Sequence, residues 1–376
     1  MIRIKRFLSI LFVPAWVAGE APRLWWKQAA PIRPMDAAAV LLVAAEWRVL
    51  IGNKIWRWVT VILLGSWVLG LRLFSVPEAA DGLLYLVRTV IYLGLIINGK
   101  RLFSPVKKWV FWAMAAFVGL GLGQYIFLPD TRFLLKYGWD EHYYRLIGTV
   151  LDPNYFGVMA GMIGFYFLDK NYKNYKFNKE MAIILMAVTA LVLTWSRASW
   201  VAFGVAMGWW GISGISGRLG RLGRLGKLAK LGILGGLGIL GIMVWWAAPK
   251  PGGEGVNLLR TASIEQRWTS WSEAIGVWKQ HPWLGVGFNN YQVAQVTQAE
   301  YSPSSSWLLL LATTGIVGTA GIIIGGIRVI REIGKTGSGQ LWLGIIIMVS
   351  VHAVFNNTLF YPPVLGLIAM IGAIKK

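Results

Sequence analysis

Apolar segments recur along nearly the whole chain, near residues 7–19, 36–51, 58–74, 82–98, 109–128, 149–168, 180–194, 198–213, 231–248, 306–327, 340–357 and 362–374. In hydrocarbon every backbone polar group must be satisfied within the chain, and an upright helix needs ~20 apolar residues to cross. A succession of this kind therefore predicts a bundle of membrane-spanning helices. The first, second, seventh and last segments are short for the task. Composition points the same way, with 56% hydrophobic residues, 22 tryptophans and a mean hydropathy of +0.57, beyond the usual apolar share of soluble domains. The expected fold is an all-α polytopic membrane protein with about 12 transmembrane helices.

The formal net charge of +21 is explained by topology before any nucleic acid is invoked, because cytoplasmic loops accumulate Lys and Arg. Lys100, Arg101, Lys107 and Lys108 fill one connection, Lys170, Lys173, Lys176 and Lys179 another, and the segment 218–230 a third. All three fall on one side if every span is real. The alternate connections hold acids, a single Arg, or both signs, and read as external. Arg3, Lys5 and Arg6 at one terminus and Lys375 and Lys376 at the other then place both termini in the cytoplasm. The first span lacks a clear small-residue cleavage site after it and is read as a helix, not a signal peptide. With no cysteine in the chain, disulfides, thiolate metal sites and thiol nucleophiles are excluded. The organisation expected is helices 1–9 over 1–247, an external loop over 248–305, and helices 10–12 over 306–376.

One repeat, "GRLGRLGRLGKLAKLG" over 217–232, has a three-residue period. Its cations wind around a helix axis instead of forming one face, as a basic anchor beside anionic headgroups would.

The external segments carry most of the polar residues suited to chemistry. Arg145 stands seven residues before Asp152-Pro153-Asn154. Proline disfavours a helical Asp152, so a helix starts just after it with free amides outward, which serves equally an Asx-Pro cap or a docked anion. In "LTWSRASW" Arg197 lies between two short apolar runs, either snorkelling to the interface or binding an anion. Arg88, deeper in its span, should face the bundle interior or water. In the longest loop Ile264, Trp268, Trp271, Ile275 and Trp278 recur at helical spacing, Ser263 and Gln266 fit a capping box, and His281-Pro282 supplies a stop. An amphipathic helix on the membrane surface or against the bundle is expected, with Arg267 at the border of its tryptophan face. "WLGVGFNNY" follows, with backbone freedom at Gly285 and Gly287 and amides at Asn289 and Asn290.

Three stretches in this order, "RLIGTVLDPNYFG", "LTWSRASW" and "RWTSWSEAIGVWKQHPWLGVGFNNY" followed by "SSSWLLLLATTGIVG", resemble the O-antigen ligase and O-antigen polymerase superfamily over most of the chain. The resemblance implies an enzyme of cell-envelope polysaccharide biosynthesis in the cytoplasmic (inner) membrane. It would move a glycan from a polyprenyl diphosphate such as undecaprenyl diphosphate to a glycan, lipid or protein acceptor, without metal or cofactor. Arg145, Arg197 and Arg267 would map to the family's functional arginines, and Asp152, Asn154, Asn289, Asn290, Ser304 and Ser305 would line the substrates. Family members commonly carry His-Asn where Ser304 and Ser305 stand here. The missing imidazole leaves the proton acceptor open among His281, Asp152 and, less favoured, His142. A transporter of a lipid-linked precursor or small anion is the rival class, and would place its polar residues near the bilayer midplane. An inactive donor-binding homologue is the third reading.

Overall fold

The computed structural model describes residues 2–25, 32–171, 178–216, 224–251, 255–294, 303–334 and 339–374. Among them are fifteen α-helices and no β-strand, only an isolated bridge between Asp130 and Tyr143. In chain order the helices are α1 (Ile2–Ala18), α2 (Pro34–Ala45), α3 (Trp47–Gly52), α4 (Lys54–Gly70), α5 (Val76–Phe103), α6 (Lys107–Phe127), α7 (Pro153–Asn171), α8 (Lys179–Leu193), α9 (Arg197–Ser216) and α10 (Arg224–Ala247). They continue as α11 (Ala262–Gln280), α12 (Tyr291–Ala294), α13 (Ser306–Gly334), α14 (Gly339–Phe355) and α15 (Pro362–Ile374). The basic repeat falls partly outside the described residues, at 217–223, as do Lys173 and Lys176.

Among the described residues, two stretches are by length and composition sufficient to cross a membrane: 76–127, which is α5 and α6 joined through Ser104-Pro105-Val106, and Ser306–Arg331. Local chemistry sets the ends of several helices. Asn53 Oδ1 accepts from Ile55 N and Trp56 N at 3.0 and 2.9 Å, Asn178 Oδ1 caps Met181 N, and Ser75 with Glu78 forms a capping box on α5. Pro105 cannot continue α5 and turns the chain into α6.

Helix α7 is apolar all round and buried from Phe156 to Leu168, which makes it the central post of the bundle. Gly157 and Gly161 leave room for Ser199 and Phe203 of α9, and Gly164 for Ala187 of α8. Antiparallel neighbours bring alternate connections to the same end of the bundle. At the far end Lys5 and Arg101 both pair with buried Glu46, and Ser9 Oγ donates to Leu102 O. At the opposite end Glu20 N donates to Thr149 O, Leu146 N to Leu193 O and Ser306 N to Asn356 O. The N-terminus of α7 opens into this second end, here called the site end.

Helix α11 forms as the spacing predicts, but its capping differs. Thr261 is the N-cap, so Ser263 lies inside the first turn, and its hydroxyl receives Arg197 instead of closing a box with Gln266. The apolar face is also divided. Ala274 and Val277 pack with Leu309 and Ala312 of α13, with Trp278 against the same cluster, while Ile264 and Trp268 remain exposed.

Helix α13 is broken at Gly315, which has φ 64° and ψ −172°. The carbonyls freed by the break are taken up by the Gly-rich turn that follows α11: Val286 N donates to Ala312 O and Gly287 N to Thr313 O. Thr313 O also accepts from Ser66 Oγ at 3.0 Å, and beyond the break Ile316 N and Val317 N donate to Pro282 O and Trp283 O. A side chain at Gly285 or Gly315 would meet opposing backbone at 2.4 and 2.3 Å, so only glycine fits either strand of this crossing.

Candidate functional site

The site is built around Asp152-Pro153-Asn154, the entry to α7. Asp152 Oδ1 accepts from Asn154 N at 2.6 Å and Tyr155 N at 3.1 Å, an Asx cap on the central helix. Asn154 is clamped by the bend between α8 and α9, where Trp195 takes a positive φ. Ser196 Oγ donates to Asn154 Oδ1 and Ser199 Oγ to Asn154 O, each at 2.8 Å. The serines of "TWSRAS" thus fix the position of the "DPN" turn.

Four arginines gather beside it, each held by backbone carbonyls. Arg145 Nε donates to Thr194 O at 3.1 Å, and Arg267 Nε to Phe355 O at 3.2 Å, at the C-terminal ends of α8 and α14. Arg197 donates to Leu258 O and Ser263 Oγ at 3.0 and 2.8 Å. Arg260, for which "NLLRTAS" gives no local signal, donates to Trp195 O at 2.9 Å and to Gly255 O and Asn257 O. Among the described residues, no carboxylate lies within ion-pair distance of Arg145, Arg197 or Arg267. Because Arg145 and Arg267 hold their carbonyls through Nε, the terminal nitrogens of both guanidinium forks are left for a ligand.

The electrostatics follow from this crowding. Burial, with Arg260 next, pushes Arg145 down to about 9 against the opposing pull of Asp152. Arg267 is lowered by burial and by Arg197. Burial raises Asp152 above the ordinary carboxylate range, although its cap hydrogen bonds and Arg145 oppose the shift. His142 is pushed down to about 3 by burial, Arg145 and Arg260. It therefore stays neutral beside the arginines.

A histidine outside the sequence expectation also reaches this end. His352, fully buried near the end of α14, faces Ser199 Oγ and Asn356 Nδ2 through Nε2, each at 3.2 Å, and Thr358 Oγ1 through Nδ1 at 2.7 Å. The imidazole thereby braces α14 and its following turn against α9.

The remaining expected residues separate from the arginines. His281 sits at the C-cap of α11, fourteen residues from Arg267 and so about 21 Å along the helix axis. Asn290 is buried against Gly70 and Gly82, whose missing side chains make its room. Asn289 takes a left-handed conformation, φ 59°, and lines a separate cavity together with Tyr155. The serines before α13 mainly join elements: Ser305 Oγ accepts from Leu308 N and donates to Ala353 O, and Ser304 N donates to Ser270 Oγ. Arg88 pairs with Asp36 of α2 at 3.4 Å, while Tyr92 donates to the same carboxylate at 2.8 Å.

The fold and the apolar helices define an all-helical membrane protein whose loops build a guanidinium-rich site at one end of the bundle. Within that class, residues 181–323 match the family model described as O-antigen ligase, so this part of the chain is similar to the O-antigen ligase and polymerase superfamily. The matched segment holds Arg197, Arg260, Arg267, His281, Asn289, Asn290, Ser304 and Ser305, whereas Arg145, Asp152, Asn154 and His352 lie outside it. No curated protein matches the chain significantly. The match supports a membrane glycosyltransferase-like function in general terms.

Proposed function

We propose that the protein transfers a glycan from a polyprenyl diphosphate to an acceptor hydroxyl at the outer face of the cytoplasmic membrane, with the site end outward and both termini inside. The observation that carries this reading is the set of guanidinium groups around Asp152, three of them without an ion-pair partner among the described residues. Buried cations of one sign are costly unless an anion joins them, and planar forks suit phosphate oxygens bidentately. The twelve helices α1, α2, α4 to α10 and α13 to α15 would be the spans. Helix α11 would then lie at the surface, with exposed Ile264 and Trp268 toward lipid.

In the reaction the acceptor oxygen forms a bond to the anomeric carbon as the bond from that carbon to the diphosphate oxygen breaks. The lipid diphosphate leaves with the electron pair, and Arg145, Arg197, Arg260 and Arg267 stabilise the charge that develops on it. The acceptor proton goes to Asp152, the carboxylate at the centre of the cluster, which burial makes more basic than an ordinary aspartate. His281 is too far along α11 from Arg267 to share that role.

The test is transfer from a polyprenyl-diphosphate glycan in reconstituted membranes. Replacing Arg145, Arg197 or Arg267 by Lys keeps the charge but loses the fork, so product formation should fall at least tenfold at normal protein abundance. Full activity in all three lysine variants would remove the clamp.

A further inference from the structure

A separate cavity of about 190 Å³, with Tyr155 in its wall, is bordered by the start of α2, α5, the turn before α12 and the turn between α14 and α15. Its walls combine aromatic residues, amide-bearing residues and two arginines, Arg33 and Arg88. Tyr155 and Tyr361 stack at 3.9 Å, Asn289, Gln292 and Asn357 line the wall, and Arg33 lies with its guanidinium carbon 5.5 Å from the Tyr361 ring centroid. The Arg33 side chain is nine-tenths buried and paired with Glu20, yet its Nη1 has no hydrogen-bond partner among the described residues.

The charge around the cavity is nearly balanced. Glu20 is engaged by Arg23, Arg33 and the Tyr361 hydroxyl, and Asp36 by Arg88, Tyr92 and the Arg33 backbone amide. Such a site does not demand a multiply charged ligand. It offers a buried donor, the amide-bearing residues Asn289, Gln292 and Asn357, and flat rings, which match the hydroxyls and C–H faces of a sugar. Its volume is below the ~300–1,000 Å³ usual for pockets that hold drug-sized ligands, so it suits one ring rather than an extended chain.

We infer that this cavity is a saccharide subsite that holds one pyranose ring of the acceptor glycan. The assignment to the acceptor rests on the function proposed above and on the shared wall. Tyr155 N donates to Asp152 Oδ1, and its ring also lies edge-on to His352, 6.4 Å between centroids. Tyr155 thus lines the cavity and is bonded through its backbone to the proposed base.

Direct binding tests the subsite without turnover. Saturation-transfer NMR on the full chain in lipid nanodiscs would use methyl hexopyranosides and methyl hexuronides at millimolar concentration as probes. The wild-type protein should saturate ring protons of at least one probe, and Thr89→Trp, which fills the cavity from α5, should abolish the effect. Asn289→Gly, which keeps the left-handed backbone and removes the amide, should weaken binding about fivefold, as for loss of one hydrogen bond. Arg145→Lys should leave it unchanged, separating this cavity from the clamp. Absence of saturation with every probe, an undiminished signal in Thr89→Trp, or saturation of lipid headgroup protons alone would each overturn the subsite. Sugar binding with this pattern but no transfer from any polyprenyl-diphosphate glycan would instead reject the proposed reaction and leave the subsite standing.

Discussion

At the scale of residues, the site joins two demands on one carboxylate, and they can be separated. Asp152 caps α7 and sits in the arginine field. Asparagine caps a helix about as well as aspartate, so Asp152→Asn should retain the fold while losing the proton acceptor. Transfer should drop by about 10² to 10⁴ in kcat with donor KM unchanged or lower; unaltered kcat would move the base elsewhere. His142 offers a pH test with a defined sign. Its folded value, about 3, lies below the ordinary histidine value of about 6.5, so between these limits the unfolded chain binds the proton and the folded chain does not. Stability should therefore fall as pH drops below about 6.5, by up to about 1.4 kcal/mol per pH unit from this group, with the loss complete near pH 3. Thermal melts in detergent between pH 7 and 4 should show a shallower decline for His142→Phe than for wild type; parallel curves would contradict the assignment. Arg197 stood out in the sequence as the lone charge between two apolar runs, Arg145 by its spacing from Asp152-Pro153-Asn154 and Arg267 by its place at the border of the tryptophan face. Arg260 and His352 did not, since one stands in a loop without periodicity and the other inside an apolar run whose partners come from distant segments.

At the scale of elements, the periodicity of α11 was legible because tryptophans and isoleucines at three- and four-residue steps specify a helix wherever it lies. Its orientation was not, because Ser263 and Arg267 turn toward Arg197 and α14 and so divide the tryptophan face between protein and exterior. The same holds for "SPSSSWLLLLATTGIVG": hydropathy shows one long helix, whereas the break at Gly315 depends on a turn some thirty residues earlier that satisfies the freed carbonyls. The hydroxyls at its start face neighbouring elements more than substrate, with Ser305 capping α13 and Ser306 Oγ bonding Asn356 O and receiving Leu359 N. The crossing predicts a sharp intolerance. Gly315→Val would place a β-branched residue at positive φ with its Cβ 2.3 Å from Trp283 backbone, and strain of this kind costs of order 1–3 kcal/mol before any collision is counted. Detergent-solubilised Gly315→Val should melt well below wild type, while Gly326→Val, where a Cβ meets nothing within 4 Å, should melt close to it. Equal melting of the two would show that the crossing does not constrain α13.

At the scale of the whole molecule, the alternation of basic and mixed connections and the geometry of the bundle are independent lines on the same topology. The connections read as external meet one another at the site end, through Arg145 to Thr194, Arg260 to Trp195, Arg267 to Phe355 and Tyr361 to Glu20. The basic residues Lys5 and Arg101 converge instead on Glu46 at the far end. Lys and Arg are retained on the cytoplasmic side, so the far end should be inside and the arginine cluster outside, where a lipid-linked donor would be met. The chain has no native cysteine, which makes single-cysteine labelling free of background. Lys108→Cys, at the exposed start of α6, and Lys279→Cys, at the exposed end of α11, lie at the two ends. In intact cells a membrane-impermeant maleimide should label the second and not the first, and permeabilisation should expose both. Labelling of Lys108→Cys alone in intact cells would invert the molecule, place the guanidinium cluster on the cytoplasmic side, and remove transfer at the outer face as its function.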